Sequence, residues 1–346
     1  MEDKISVIVT TYNQEDTIGR TLNSILAQKC HLPIEIIIGE DCSTDNTRSV
    51  CKDYAQRYPH IIRLMPKAEN KGIQNNYYDC LLECKGKYIA DCAGDDFWID
   101  DKKLEKEVCI MEEDPSVTLV HTNWQYYEEK TQKTKRTPFT PSAAYKKSGK
   151  NLLEAIVTQT KAPVIHTCTS LYRAETIRKC YFEDPELFRN KDYGCEDLQL
   201  TFMLAMKGTV VYIPDVTLNY SVGHNSITFQ PNERRQFLFV RQTTSLSYHL
   251  ARKYNIDTPR TKEFFSEKVF ALYMHSFRSK DKTLRDEAYK YRKTWNVVEN
   301  KKIKVARLIM SNNLIWNSAL LSRKLFCTLK LFTQPVLFRD RAHISL

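Results

Sequence analysis

The stretch ISVIVTT, residues 5–11, sets the fold class of this chain. Its apolar residues do not alternate cleanly with polar ones, which is typical of a strand that is buried on both faces. Helix and strand patterns then alternate: a helix from about residue 15, a strand at 34–38, a helix through 50–54, a strand at 61–65, a helix at 72–84 and a strand at 87–92. This rhythm predicts an α/β fold with a Rossmann-like, mostly parallel and doubly wound central sheet.

Polar side chains follow three of these strands where each strand ends. They are residues 10–13, residues 40–45 and the adjacent pair Asp95-Asp96. Ligands of open α/β sheets bind outside the carboxyl ends of the strands. The three clusters therefore predict one shared binding site.

The pair Asp95-Asp96 has two interpretations. Adjacent carboxylates repel each other unless a cation or strong hydrogen bonds hold them. The pair either binds Mg²⁺ or Mn²⁺, whose preferred ligands are oxygens, or forms a solvated acidic turn. A metal here would neutralise the charge that develops on a phosphate leaving group. The position at a strand end favours the metal.

Tyr12 and Asp41 also have a structural and a functional interpretation. Tyr12 either stacks on a nucleotide base or packs under a loop. Asp41 either accepts a hydrogen bond from an imide N–H or caps the next helix, a role for which Ser43 and Asp45 compete.

The downstream pair Glu196-Asp197 opens an amphipathic helix. Carboxylates are favoured at a helix N-terminus, so the pair has a simple structural explanation. In the functional interpretation it supplies a general base that deprotonates a hydroxyl nucleophile. His166 and His224 are either polar contacts in the same cleft or ordinary surface residues.

The rest of the chain is less regular up to about residue 230. Its patterns predict a strand at 116–121, a polar loop at 128–150, a strand at 164–172, a helix at 195–206 and a strand at 209–213. After residue 231 helical patterns replace strand patterns. We therefore predict a domain boundary near residue 230, with a helical C-terminal region at 231–346.

The two predicted regions differ in charge. Residues 231–346 carry 24 Lys and Arg against 9 Asp and Glu, and the net charge of the whole chain is +10, so residues 1–230 are acidic overall. Residues 303–331 mix basic side chains with Leu, Ile, Trp and Phe, which is typical of a basic amphipathic helix at a membrane surface. The alternative is a helix that packs on the N-terminal domain with a solvated basic face. A nucleic-acid partner is not expected, because no binding module accompanies the charge.

The cysteines and the N-terminus bear on the compartment. The 11 cysteines contain no CxxC pair, which favours free buried thiols in a reducing cytoplasm over a metal site. The N-terminus predicts neither a signal peptide nor a transmembrane helix. We expect a cytoplasmic protein, or one bound to the cytoplasmic face of the inner membrane.

Several motifs together resemble family 2 glycosyltransferases, which are inverting enzymes with the A-type glycosyltransferase fold. The resemblance covers about residues 5–230 in the family's order. It implies a catalytic domain at 1–230, with a nucleotide-binding half at 1–100 and an acceptor half at 101–230. The motifs that carry it are SVIVTTYN (6–13), EIIIGEDCSTDNT (35–47), NKGIQNN (70–76), GKYIADCAGDDFW (86–98) with KLE (103–105), and CEDLQL (195–200).

The resemblance implies a role for each candidate residue. Asp197 would be the catalytic base, and Asp96 would bind the Mn²⁺ or Mg²⁺ that bridges the donor diphosphate. The nucleotide-sugar donor, usually a UDP-sugar, would be held by Thr10, Tyr12, Asn13, Asp41, Gly72 and Asp95. Candidate contacts with the acceptor or the diphosphate are Glu196, His166, Trp98 and His224.

The chain departs from the family pattern at several positions. Glu40 replaces the first acid of an Asp-Asp pair, and Cys42 replaces a glycine. Ala93 stands where many relatives have an acid. Tyr220-Ser221 stands where a Tyr-Arg step is common, and the basic residue that often follows the Asn-x-Gly element is absent. These departures bear mainly on donor choice and on contacts with the diphosphate.

The resemblance predicts a metal-dependent hexosyltransferase of cell-surface polysaccharide or lipopolysaccharide synthesis, acting on a saccharide or lipid-linked saccharide. The alternative is a catalytically silent relative that serves as a binding or scaffold protein. A sugar nucleotidyltransferase would be expected to have a glycine-rich basic loop after the first strand, where this chain has TTYN.

Overall fold

The computed structural model describes residues 1–66, 69–138, 140–159, 164–223 and 232–322. The chain forms two compact units, residues 1–226 and 227–346. The predicted boundary near residue 230 lies outside the described residues, and the division into domains stays a prediction.

The first unit alternates strands and helices through its N-terminal half. Its elements are β1 (Glu2–Thr11), α1 (Ile18–Leu26), β2 (Ile34–Glu40), α2 (Thr47–Arg57), β3 (Ile62–Leu64), α3 (Gly72–Glu83), β4 (Gly86–Asp91), β5 (Phe97–Trp98), α4 (Lys103–Glu113), β6 (Val117–Glu128), β7 (Lys133–Arg136), β8 (Tyr145–Ser148), α5 (Leu153–Thr158), β9 (Ser170–Arg173), α6 (Ala174–Glu183), α7 (Pro185–Arg189), α8 (Asp197–Lys207) and β10 (Thr209–Val222).

The described strands form one sheet in the order β3-β2-β1-β4-β9-β6-β10-β5, with β7 paired to β6 and β8 to β10. The strands β3, β2, β1 and β4 are parallel, whereas β9 is antiparallel to both β4 and β6. The predicted α/β class with a mostly parallel Rossmann-like sheet is confirmed.

Burial explains why β1 lacks an alternating pattern. Val7, Ile8 and Val9 are all buried, although successive side chains point to opposite faces of the sheet. Helices cover both faces of such a sheet, so both sets of side chains leave water.

The predicted loop at 128–150 is wrong in part, because it contains β7 and β8. Both strands are short and polar, and their side chains are largely exposed, so no periodic burial marks them in the sequence. Their pairing depends on β6 and β10. The predicted strand at 164–172 is also shorter in the structure, where β9 begins at Ser170 after a 3₁₀ turn at Thr167–Thr169.

The second unit is helical over its described residues. It contains α9 (Glu233–Lys253), α10 (Pro259–Ser279), α11 (Lys282–Thr294), α12 (Lys301–Ser311) and a further helical segment at 313–322. The side chains of Asn232, Thr258, Asp281 and Asn300 cap the four named helices by accepting backbone N–H groups. Within the described ranges, no helix is both long enough and apolar enough to cross a membrane.

Candidate active site

The loops after β1 and β2 are held together by side chains. The Asn13 N–H donates to Ser43 Oγ at 2.9 Å, and Asn13 Oδ1 accepts the Thr44 N–H at 2.8 Å. Asn13 adopts a positive φ of 52°, which asparagine tolerates better than most residues. In this structure Asn13, a predicted nucleotide contact, fixes the shape of the edge where β1 and β2 end.

The predicted nucleotide residues Tyr12 and Asp41 differ in exposure. The Tyr12 ring is 46% exposed, whereas Asp41 is buried. Asp41 Oδ1 accepts the Lys71 N–H at 2.9 Å, so the residue does not cap α2 through this oxygen. Tyr12 therefore has an open face on which a planar base can stack.

Thr10 lies near the end of β1, and Gly72 is the first residue of α3. The Thr10 carbonyl accepts the Gly94 N–H at 2.9 Å, which joins the end of β1 to the turn after β4. Gly72 opens α3 with a φ of 75°, a conformation that favours glycine. Their contacts with a nucleotide stay predictions.

Glu40 has a structural role in place of the family's first acid. Its buried carboxylate accepts the Ser43 N–H at 2.5 Å and pairs with Arg48 at 2.7 Å. The side chain of Glu40, one carbon longer than that of aspartate, thus stabilises the backbone of the loop in which Cys42 adopts a φ of 57°.

The turn that carries Asp95 and Asp96 is tied to α1. Thr17 and Thr21 donate their hydroxyls to the carbonyls of Gly94 and Asp96, at 2.9 Å and 2.6 Å. A Cβ at Gly94 would lie 2.6 Å from the Thr11 hydroxyl oxygen, which only glycine avoids. The sequence step Ala93-Gly94 therefore allows the turn to sit against the end of β1.

Asp96 lies beneath the turn and is 1% exposed. Its Oδ1 accepts the Ser221 N–H at 2.9 Å, and its Oδ2 is buried without an N–H or O–H donor among the described residues. Burial, and then the charge of Asp95, raise the pKa of Asp96 well above its ordinary value, while the Ser221 N–H and the Cys168 thiol partly oppose the shift. An unsatisfied buried carboxylate oxygen fits a metal ligand, because a cation would stabilise it.

Arg20 and Ser221 fix the backbone of the same turn. The Asp95 carbonyl accepts hydrogen bonds from Ser221 Oγ at 2.6 Å and from Arg20 Nη2 at 3.1 Å. Arg20 also pairs with Glu129 at 2.5 Å and stacks on Phe97, with its guanidinium 4.1 Å from the ring centre. Ser221, which replaces the family's common arginine, thus holds both acids from β10.

Glu196 and Asp197 lie at the N-terminus of α8, where Glu196 occupies the N-cap position. The two preceding carbonyls are held by α3: Gln74 Nε2 donates to the Cys195 carbonyl at 3.0 Å, and the Tyr78 hydroxyl donates to the Glu196 carbonyl at 2.7 Å. Burial raises the pKa of both carboxyls, and for Glu196 the charge of Asp197 adds to it. The predicted base therefore has a raised pKa, as a base that works near neutral pH requires.

Two of the remaining candidate contacts lie close together. The His166 ring stacks edge-on against Tyr220, and burial lowers the pKa of His166 to about 4, so the ring is neutral. Trp98 is buried, and its indole N–H donates to the Cys168 carbonyl at 2.8 Å. The contacts of both with an acceptor or diphosphate stay predictions, and His224 lies outside the described residues.

A surface cavity of about 350 Å³ lies elsewhere on the first unit. Its lining includes Tyr145, Lys146, Tyr212 and Pro214, and it contains none of the predicted site residues. We place the candidate site at the strand ends because the chemically suited side chains meet there.

A family model described as "Glycosyl transferase family 2" matches residues 6–180, half of the chain. The chain belongs to glycosyl transferase family 2. The predicted family is thereby confirmed, and the matched region contains the strand ends that carry Tyr12, Asp41 and Asp96. Asp197 lies beyond the matched residues.

Curated relatives of this glycosyltransferase match it over part of their length. An uncharacterised protein of Mycobacterium tuberculosis is 38% identical over 115 residues, which are 33% of this chain and 33% of that protein. The putative glycosyltransferase EpsE of Bacillus subtilis is 35% identical over 126 residues, 36% of this chain and 45% of EpsE. The putative teichuronic acid biosynthesis glycosyltransferase TuaG of the same organism is 38% identical over 109 residues, 32% and 42% of the two chains.

Solved structures share the fold of this glycosyltransferase. TarS residues 1–349 of S. aureus, in complex with UDP-GlcNAc, superpose with a TM-score of 0.55 at 13% identity, covering 88% of this chain and 91% of that one. The mannosyltransferase PcManGT of Pyrobaculum calidifontis, in complex with GDP-Man and Mn²⁺, gives a TM-score of 0.53 at 15% identity, with 93% and 88% covered. The A-type glycosyltransferase fold is confirmed.

Sequence reasoning did not identify four residues that shape this site: Arg20, Gln74, Tyr78 and Ser221. In the sequence, Ser221 stands out only as a departure from the family pattern. Each of the four acts through a hydrogen bond to a residue at least 75 positions away. No local pattern in the sequence marks such contacts.

Proposed function

We propose that this family 2 glycosyltransferase transfers a sugar, with inversion, from a nucleoside diphosphate sugar to a hydroxyl of a saccharide or lipid-linked saccharide in cell-surface polysaccharide synthesis. The observation that carries the proposal is the shared strand edge, where the exposed ring of Tyr12 and the buried carboxyls of Asp41 and Asp96 follow β1, β2 and β4. An aromatic face suits a base, and a carboxylate with an unsatisfied oxygen suits a cation.

The similar proteins support a nucleotide sugar as the donor, but they differ in the nucleotide and the sugar that their names give. Structures of the same fold contain UDP-GlcNAc or GDP-Man with Mn²⁺, and a relative from Shigella flexneri is named a dTDP-rhamnosyl transferase. We propose a UDP-sugar because TarS is seen with both UDP and UDP-GlcNAc. The names of TuaG and of the rhamnosyl transferase support a surface polysaccharide as the product.

In the proposed reaction Asp197 accepts the proton of the acceptor hydroxyl. The hydroxyl oxygen then attacks the anomeric carbon, and the bond from that carbon to the diphosphate breaks, which inverts the configuration. Asp96 would hold a divalent metal, which would supply positive charge beside the diphosphate. Arg20 and Ser221 keep the Asp95-Asp96 turn in place, and Gln74 and Tyr78 do the same for the segment before Asp197.

The proposal is tested by turnover of a panel of UDP-, GDP- and dTDP-sugars with Mn²⁺ or Mg²⁺. We expect one donor to be hydrolysed or transferred, and Asp96→Asn to lose donor turnover. Asp197→Asn should still bind the nucleotide but lose transfer by about 10²- to 10⁴-fold, the usual contribution of a general base. Asp192→Asn, an exposed acid close to α8, is the matched control and should act like the wild type.

Two results would overturn the proposal. If no donor binds or turns over, the chain is a catalytically silent relative that serves in binding. If a donor turns over but Asp96→Asn and Asp197→Asn leave the rate unchanged, the chemistry lies elsewhere in the chain.

We also propose that the second unit binds the anionic face of a membrane. On α12, Val305 and Leu308 are exposed on the side opposite the buried Ile303 and Ala306, and Lys301 and Lys304 are exposed beside them. Apolar side chains flanked by lysines suit an interface of acyl chains and acidic headgroups. Such a position would bring the protein to a lipid-linked acceptor.

A further inference from the structure

Three side chains with different ligand atoms meet at the Asp95-Asp96 turn. One ligand atom each of Asp96, His166 and Cys168 lies within 4.8 Å of the other two. Asp96 belongs to the turn after β4, whereas the other two flank the start of the 3₁₀ turn before β9. Two separate segments of the fold therefore converge on one point.

The carboxylate of Asp96 is incompletely satisfied at this point. One of its oxygens accepts the Ser221 N–H, and the other is buried without an N–H or O–H donor among the described residues, so the carboxylate has only the weakly donating Cys168 thiol besides Ser221. Leaving a buried acceptor without a strong donor is unfavourable, because the acceptor loses its hydrogen bonds to water. A cation between the three side chains would relieve this cost.

The backbone around Cys168 is arranged for a sulfur ligand. The Ala93 N–H donates to Cys168 Sγ at 3.3 Å, and the Trp98 indole N–H donates to the Cys168 carbonyl at 2.8 Å. A backbone N–H directed at sulfur stabilises a thiolate that binds a metal. The Trp98 contact in turn fixes the position of the Cys168 backbone.

The imidazole of His166 has one competing contact. Its Nδ1 accepts the Cys168 N–H at 3.3 Å, which is beyond the usual range for such a bond. The bond is therefore weak, and its loss is a small cost against a bond to a metal.

A second group of possible ligands, Cys30, His31 and Glu105, provides a contrast. There the two ring nitrogens of His31 already contact Glu105 at 2.8 Å and Glu112 at 3.2 Å. The group lies at the surface, and its charges are paired without a metal. The unsatisfied buried oxygen distinguishes the Asp96 group.

We propose that Asp96, His166 and Cys168 together form a binding site for a borderline transition-metal ion of the Zn²⁺ or Co²⁺ class. A carboxylate, an imidazole and a thiolate suit such ions, whereas Mg²⁺ prefers oxygen ligands alone. The ion displaces the thiol proton, which is released to solvent, and binds before any nucleotide. This site rests on the proposed role of Asp96 as a metal ligand, and it restricts the ion that Asp96 binds to the Zn²⁺ or Co²⁺ class.

The site is tested by titrating the metal-free full-length chain with Co²⁺ in the absence of nucleotide. We expect saturation at one ion per chain, release of a proton, and a thiolate-to-cobalt charge-transfer band beside the visible cobalt bands. A large molar excess of Mg²⁺ should not displace the ion. Cys168→Ser should lose the charge-transfer band and bind Co²⁺ at least tenfold more weakly, by analogy with the loss of ligand support elsewhere.

Two controls separate loss of the site from loss of the fold. Cys180→Ser replaces another buried thiol, on α6, and should keep the band. His166→Ala should weaken Co²⁺ binding while the charge-transfer band persists at high Co²⁺, which a misfolded variant would not show.

The outcomes also separate this inference from the proposed function. Without a charge-transfer band, or with Co²⁺ affinity unchanged in Cys168→Ser, the transition-metal site is wrong, although Asp96 can still be required for donor turnover. A band that depends on Cys168 in a protein that turns over no donor would support the metal site and overturn the enzymatic proposal.

Discussion

The adjacent residues Asp95 and Asp96 differ in their burial and in the groups through which they are held. Asp96 is buried and holds the Ser221 N–H through its carboxylate, whereas the half-buried Asp95 is fixed through its carbonyl. The sequence predicts that the pair lies at a strand end, because the apolar run of β4 leads directly into it. It does not predict the difference in burial, which depends on β10 more than 120 residues later.

The adjacent acids Glu196 and Asp197 lead to a prediction about pH. The pKa of Asp197 is raised by burial, so the base retains its proton to higher pH and transfer falls as the pH drops through that pKa. In Glu196 the charge of Asp197 adds to burial and raises the pKa to about 8, whereas Glu196 does not contribute to the raised pKa of Asp197, so Asp197 ionises while Glu196 is still protonated. Glu196→Gln puts another neutral side chain beside Asp197, and we expect it to leave the acidic limb of the pH–rate profile in place.

The measurement is transfer rate against pH for the wild type, Glu196→Gln and the control Asp192→Asn. Asp192→Asn should leave the acidic limb in place, since that side chain is exposed. An acidic limb that moves down in Glu196→Gln but not in Asp192→Asn would contradict this order of ionisation.

At the scale of elements, helix α3 contacts both the loop that carries Asp41 and the segment that precedes α8. At its N-terminus the Lys71 N–H holds Asp41, and Asn76 donates to the Gly39 carbonyl of β2 at 2.6 Å. From the same half of the helix, Gln74 and Tyr78 hold the carbonyls before α8. The helix thus supports both the predicted nucleotide contact and the predicted base.

Removing the Tyr78 hydroxyl should therefore affect catalysis more than donor binding. Tyr78→Phe loses one hydrogen bond, worth about 0.5–1.5 kcal/mol, and leaves the buried Glu196 carbonyl without this donor. We expect kcat to fall about three- to tenfold, since each 1.36 kcal/mol is a factor of ten, with the Kd of the donor unchanged. Steady-state kinetics and calorimetric binding of the donor measure the two quantities.

Tyr273→Phe is the matched control, because the buried Tyr273 hydroxyl in α10 has no hydrogen-bond partner among the described residues. It should keep the wild-type kcat and stability. Equal losses of kcat in both variants would mean that the effect of Tyr78→Phe is a general consequence of altering a buried tyrosine.

The elements that the sequence predicts well are those that bury apolar side chains in a regular pattern. The helix and strand patterns from β1 to β4 follow the order seen in the structure, because each strand is buried and each helix has an apolar face. The strands β7 and β8 were missed because their residues are polar and largely exposed. Only their partners in the sheet, β6 and β10, make them strands.

At the scale of the whole molecule, the C-terminal part of the chain is basic and the N-terminal part is acidic. The second unit has an exposed apolar and basic face on α12, and Leu314 and Leu321 are also exposed in the helical segment at 313–322. Scattered exposed apolar residues are ordinary, but repeated ones beside lysines indicate an interaction surface. The sequence pattern left a membrane surface and packing on the catalytic domain equally open. The proposed membrane surface uses the exposed side chains of Val305 and Leu308.

We therefore predict that the full-length protein floats with vesicles that contain anionic lipid, and floats less with neutral vesicles or at high salt. Val305→Ser with Leu308→Ser should weaken binding about tenfold or more, because burying each apolar side chain contributes about 1.5–3 kcal/mol. Lys301→Glu with Lys304→Glu should weaken it through the loss of about 1 kcal/mol per lysine near the surface. Phe182→Ser, which removes an exposed apolar side chain of the first unit, is the control and should float like the wild type.

The competing explanation is that this face of α12 joins two copies of the chain. In that case Val305→Ser with Leu308→Ser would abolish a concentration-dependent dimer in sedimentation and leave vesicle flotation unchanged. Salt distinguishes lipid binding from self-association. Added salt screens and so weakens the attraction to anionic headgroups, whereas it does not screen apolar contact between copies. Flotation that persists at high salt and is insensitive to the lysine substitutions would thus exclude an electrostatic membrane surface on α12.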